Sequence, residues 1–122
     1  MRIGNVEFAE FPLELQQNAI PLYDYNLNDV IWKEEYAVKF LDYLCERNYA
    51  ILGGDVFDNN YECTYDNWSV TRKKQQTWRE YVLFSCEESK KYIKNFKLLN
   101  GDSYYYSLVF IDEIGYFVLQ YR

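Results

Sequence analysis

The densest chemistry in this sequence lies between Gly53 and Trp68, where Asp55, Asp58, Glu62 and Asp66 follow one another with no basic residue among them. Four carboxylates at this spacing could supply oxygen ligands to magnesium or calcium, but the ligand ladder and closing glutamate of an EF-hand are missing. No two of them stand out as the acid and base of a glycosidase. The remaining reading is a solvated acidic loop or a patch facing a partner, and it takes in the aromatic residues threaded through it: Tyr61, Tyr65 and Trp68.

The rest of the chain narrows the chemistry further. There is no histidine, which removes the usual general base at neutral pH, every Ser/His/Asp or Cys/His arrangement and the commonest metal ligand. Gly53-Gly54-Asp55 has neither the lysine nor the spacing of a phosphate loop, and it is not a GxGxxG turn. Cys45, Cys63 and Cys86 are odd in number and lack CxxC spacing, so reduced thiols are expected in place of a disulfide framework or a zinc site. Neither cofactor nor metal is called for.

Charge points the same way. Thirteen basic and 19 acidic residues give a net charge of −6, a field that repels phosphate backbones and anionic lipid and suits a basic protein partner. The asymmetry is internal: residues 1–69 carry 4 basic and 13 acidic groups, net −9, and residues 70–122 carry 9 and 6, net +3. Arg72, Lys73 and Lys74 form a compact basic cluster, which in acidic surroundings reads as a solvated loop before it reads as a nucleic-acid site. The 14 tyrosines supply rigid amphipathic rings of the kind enriched at protein interfaces, although strand and core-edge positions account for many of them. A signal peptide and a membrane-spanning stretch are not expected, and the cytoplasm is the expected compartment.

These residues must be held by one core, since 122 residues is the size of a single domain. A short strand or helical turn is expected around Pro12–Gln17. Val30–Arg47 carries Ala37, Phe40, Leu41 and Leu44 at helical spacing, with Asn28 or Asp29 to cap it. Tyr49–Leu52 reads as a buried strand running into a turn, bulge or close backbone approach at Gly53-Gly54, with Val56 and Phe57 resuming it. Asp58-Asn59-Asn60 is turn chemistry. Tyr61–Trp68 then reads as irregular or as an edge strand, before a polar loop ending at Gln76.

Trp78–Phe84 alternates as a strand would. Ser85 and Glu88 form a capping box that predicts a helix with Tyr92, Ile93, Phe96 and Leu99 buried, four lysines solvated and Asn100-Gly101 as its stop. Tyr104–Ile111 and Tyr116–Tyr121 read as a hairpin joined by Asp112–Gly115. The order implies an α+β fold: a single domain over residues 1–122, with a mostly antiparallel sheet of about four to five strands packed with two main helices.

Ile51-Leu52-Gly53-Gly54-Asp55-Val56-Phe57, followed by Thr64-Tyr65-Asp66-Asn67-Trp68, resembles the immunity protein 40 family of bacterial polymorphic-toxin systems, with weaker likeness from Asn18-Ala19-Ile20 through the helix at Leu44. The resemblance covers roughly residues 13 to 112. Phe57 stands where a tyrosine is expected, which removes a hydroxyl. The resemblance implies an α+β cytoplasmic protein that binds a cognate toxin domain, and charge adds that the toxin could be a basic nuclease whose substrate cleft the carboxylates occlude. Asp55, Asp58, Tyr61, Glu62, Tyr65, Asp66 and Trp68 are the expected partner-binding residues, with a core or loop-anchoring role favoured over direct contact for Trp68 and with Gly53 and Gly54 setting backbone geometry. The competing readings are a small enzyme working through these carboxylates, with or without a metal, and a generic interaction module.

Overall fold

The computed structural model describes residues 2–3, 6–22 and 29–120. Among them a two-stranded ribbon, β1 (Arg2–Ile3) and β2 (Val6–Glu7), precedes a 3-10 turn and the short helix α1 (Leu13–Gln17). The main sheet is antiparallel throughout. It has five strands in the order β3 (Ile20–Pro21), β4 (Val30–Lys33), β7 (Tyr105–Ile111), β5 (Ala50–Phe57) and β6 (Cys63–Ser69). Two long helices, α2 (Glu34–Glu46) and α3 (Trp78–Asn100), cover one of its faces, and a fourth helix, α4 (Glu113–Gln120), follows β7. The expected α+β class, sheet size and pair of principal helices are all present.

The core lies between the helices and that face of the sheet. Val30 and Trp32 of β4, Tyr106, Leu108 and Phe110 of β7, and Ile51 and Val56 of β5 meet Phe40, Leu41 and Leu44 of α2 and Ile93 of α3. Trp32 is fully buried against Phe40, ring centres 4.6 Å apart. Its indole N–H donates to the Leu15 carbonyl at 2.8 Å, which ties α1 to the sheet. On the opposite face a smaller cluster of Leu22, Ile31 and Phe57, with Tyr61 and Tyr105 at its margin, covers the β3–β4 end.

Several expected elements differ in the structure. Val30–Lys33 is a strand, and α2 begins only at Glu34 without a side-chain cap. The apolar run Val30-Ile31-Trp32 belongs to a strand buried on both faces, which removes the alternation that would have marked it. Asp29 accepts the Val30 amide at 2.8 Å and caps no helix; Asn28 lies outside the described residues.

Trp78–Phe84 is the first part of α3, not a strand. The working capping box is Thr77 with Glu80: the Glu80 amide donates to Thr77 Oγ1 at 3.1 Å and the Thr77 amide to Glu80 Oε1 at 3.0 Å. Ser85 and Glu88 sit well inside the helix. Gly101 ends it as expected, but Leu99 is exposed at 82% instead of buried.

The terminal hairpin is absent as well. Residues 113–120 are helical, opened by Asp112, whose Oδ1 accepts the Gly115 amide at 2.7 Å while its carbonyl accepts the Tyr116 amide at 3.0 Å. Tyr121 lies outside the described residues. Tyr116 packs on Trp78 and Tyr81, which leaves Ile114, Val118 and Leu119 outward. β5 runs from Ala50 to Phe57 through Gly53-Gly54 without a turn, and its register against β7 shifts between Ile51 and Gly53, so the bulge expected at the glycines is present.

Candidate functional site

β5 and β6 form a hairpin whose two halves have different work. At its base Gly54 pairs with Trp68 and Gly53 with Ser69. A Cβ on Gly54 would lie 2.4 Å from Trp68 Cη2 and 2.2 Å from the Ser107 carbonyl oxygen, and one on Gly53 would lie 2.1 Å from the Trp68 carbonyl oxygen. Gly53 also has a φ of 155°, outside the range of ordinary L residues. The glycines are therefore the hollow into which the Trp68 strand closes.

The indole crosses that hollow to α3. Its Nε1 donates to the buried Ser89 Oγ at 3.0 Å, and its ring stacks on Tyr92 at 4.7 Å. A second buried serine on the same helix face, Ser85, accepts the Ile51 amide at 2.9 Å and donates to the Val82 carbonyl at 3.0 Å. Two serines thus take N–H groups from the sheet where a hydrophobic contact would be the default, and each satisfies a donor that is costly to bury alone.

Above this base β6 bulges. The register jumps from Asp55 opposite Asn67 to Phe57 opposite Cys63, so Thr64, Tyr65 and Asp66 stand against Val56 alone. Thr64 Oγ1 holds the bulge from inside, donating to the Val56 carbonyl at 3.1 Å and accepting the Asp66 amide at 3.2 Å. Asn67 Nδ2 closes it by donating to the Tyr65 carbonyl at 3.2 Å. Tyr65 is forced to φ 70°, a left-handed conformation unfavourable for an aromatic residue, and its side chain points into solvent, 87% exposed.

The remaining expected partner-binding residues take distinct places. Asp58 holds the loop: its Oδ1 accepts the amides of Asn60 at 2.8 Å and Glu62 at 3.1 Å. Tyr61, at φ 63°, lays its ring edge against Tyr105 at 5.3 Å. Glu62 and Asp66 are exposed, and neither is ion-paired among the described residues. Asp55 is half-buried in mid-strand on the sheet face away from the helices, opposite Ser107 on β7, where its charge reaches Asp29. The structure gathers Glu62, Tyr65 and Asp66 at one end of the hairpin, commits Asp58 and Trp68 to scaffolding, and sets Asp55 apart.

A neighbouring feature went unread in the sequence. Between the outer edge of β6 and α3 runs a groove of about 460 Å³, walled by Val70, Lys73, Phe84, Glu88, Lys91 and Tyr92. Lys73 Nζ lies 4.4 Å from the Phe84 ring centre, and Lys91 pairs with Glu88 at 3.8 Å. Burial, and after it the Asp66 charge, raises the Tyr92 hydroxyl above its ordinary value, which places Asp66 within electrostatic reach of the groove. Phe84, Glu88, Lys91 and Tyr92 follow helical spacing. A helix read as continuous from Trp78 would have shown the stripe.

No group of three or more His, Cys, Asp or Glu side chains is placed to share a metal ion among the described residues. No described helix is long and apolar enough to cross a membrane. The three cysteines are free, with Cys63 exposed and Cys86 buried.

Comparison with known proteins gives one result. The model of the immunity protein 40 family matches residues 21–110, about three-quarters of the chain and the whole of the β5–β6 hairpin, the groove and the strands beneath them. No curated protein and no solved structure matches significantly. The glycine hollow, the tryptophan that closes it and the strands that carry both lie inside the matched region, and the chain belongs to the immunity protein 40 family.

Proposed function

We propose that residues 1–122 form one immunity domain that binds a cognate toxin domain in the cytoplasm of the producing cell and neutralises it by direct association, without catalysis or cofactor. The observation that carries this reading is the β6 bulge. A tyrosine held at φ 70° with its side chain 87% exposed adds little to the core, yet two side chains and a bulged strand hold its backbone there. Backbone strain retained under an outward aromatic side chain is the pattern of a preorganised contact.

The acidic groups beside it suit a basic toxin surface. Glu62 and Asp66 flank Tyr65 without ion-pair partners among the described residues, so a cationic partner meets carboxylates that have no internal bond to break. Complementary charge of this kind speeds encounter, and the aromatic anchor supplies the contact that resists dissociation. A nuclease, whose substrate cleft must be basic, is the toxin class these carboxylates would occlude.

The test is co-expression with a candidate toxin domain found encoded beside the gene for this chain. Growth should be restored by the wild-type chain and lost when Glu62→Ala, Tyr65→Ala and Asp66→Ala are combined, with the triple variant still folded by circular dichroism. Full protection by that variant would remove the bulge from the interface.

A further inference from the structure

Resting on the toxin-binding reading, we propose that the toxin is engaged by strand addition: an extended segment of it pairs with the outer edge of β6 at Asn67–Ser69 and lays a side chain into the groove against α3. β6 is the last strand of the sheet. The Val70 amide donates inward to the Leu52 carbonyl at 2.9 Å. With Gly53 opposite Ser69 and Asp55 opposite Asn67, the alternation of an antiparallel pair turns the N–H and C=O groups of Ser69 and Asn67 outward.

The edge is defended unevenly. A bulge, a left-handed residue and a charge at Tyr65–Asp66 are the devices that discourage pairing, and none of them reaches Asn67–Ser69. Beside this open stretch lies the groove, with Phe84 and Tyr92 on the α3 side. Outward backbone groups next to an apolar slot select an extended chain with an apolar side chain at one position, since a helix has no free backbone groups to offer.

Charge sets the direction of that segment. Lys73 and Lys91 line the groove, Asp66 stands in the bulge and Glu62 beyond it. The occupant that fits carries a basic residue toward Asp66, an apolar one over Phe84 and Tyr92, and an acidic one toward the lysines. A second copy of this chain is disfavoured as occupant because each copy carries net −6.

Amide hydrogen exchange followed by NMR tests this on the full chain, free and bound to a catalytically inactive form of the toxin domain that the co-expression test identifies. The Asn67 and Ser69 amides should exchange quickly in the free chain and slow by about 100-fold or more in the complex. Ser69→Pro, which removes an outward donor that the inner ladder does not use, should weaken binding by about tenfold or more. Lys91→Glu, a surface change that leaves the strand intact, should weaken it by a similar factor. A complex in which both amides exchange as in the free chain, with both variants binding as wild type, overturns strand addition and leaves toxin binding standing. Failure of the wild-type chain to form any complex overturns both. Protection of the two amides in the free chain that grows with its concentration overturns the toxin segment in favour of self-pairing.

Discussion

Replacing Trp68 by phenylalanine isolates the joint between the hairpin and α3. The change removes the Nε1 donor, leaving the fully buried Ser89 hydroxyl without the partner it holds at 3.0 Å, a loss worth about 1–3 kcal/mol. It also withdraws the part of the indole, Cζ2 and Cη2, that fills the hollow over Gly54, worth about 1–2 kcal/mol more as partly relaxed empty space. The expected total, about 2–5 kcal/mol, is a large share of the roughly 5–15 kcal/mol that holds a domain together. Ser89→Ala should cost about 1–3 kcal/mol, because it leaves the indole N–H without its acceptor. Urea denaturation of the wild type, both single variants and the double variant gives the coupling directly. It should come out near 1 kcal/mol favourable, with unchanged denaturant slopes. Zero coupling together with a Trp68→Phe variant as stable as wild type would refute the assignment of Trp68 to the scaffold.

Two further outcomes follow from buried groups. Burial pushes the Cys86 thiol up to about 12, with Cys45 beside it adding to the effect, while Cys63 is exposed; a thiol reagent near neutral pH should therefore label Cys63 fastest in the native chain, Cys63→Ser should remove that fastest phase, and Cys86 should react only on unfolding. Burial, with the Asp55 charge adding to it and the Val30 amide opposing it, raises the Asp29 carboxyl above its ordinary 3.8. The native state then keeps a proton that the unfolded chain has lost, so the contribution of Asp29 is fully present below 3.8 and is lost as pH rises through the native value. Asp29→Asn, which keeps an oxygen for the Val30 amide, should flatten that fall in urea midpoints measured from acid to neutral pH; an unchanged profile would show that Asp29 is not its source.

Much of this was legible in the sequence wherever one signal dominated. The α2 stripe of Ala37, Phe40, Leu41 and Leu44 is buried as its spacing required, and Asp58-Asn59-Asn60 makes the turn its side chains favour. The segment Gly53–Trp68 was recognisable because a glycine hollow and the tryptophan that closes it constrain each other. The errors arose where tertiary contacts replaced local pattern. Buried Ser85 and Ser89 interrupt the apolar stripe of α3 because they bind N–H groups of the sheet, so the helix read as two pieces and the capping box was placed eight residues late. Tyr116–Leu119 carries β-prone residues on a helix because Tyr116 packs on Trp78 and Tyr81, contacts invisible from spacing alone. Division of the acidic segment into an anchored base and a strained tip depends on the bulge at Thr64–Asp66, and no residue in that stretch announces one.

Tyr65 held in a costly conformation for a partner's sake should be separable from folding by a single variant. Tyr65→Gly accepts φ 70° without strain, so the stability of the free chain in urea should be unchanged or raised by up to about 1 kcal/mol. Affinity for the inactive toxin domain, measured by titration calorimetry on the same preparation, should fall by about tenfold or more. Wild-type affinity in the Tyr65→Gly chain would contradict the account, because the bulge would then hold its tyrosine for nothing the toxin uses.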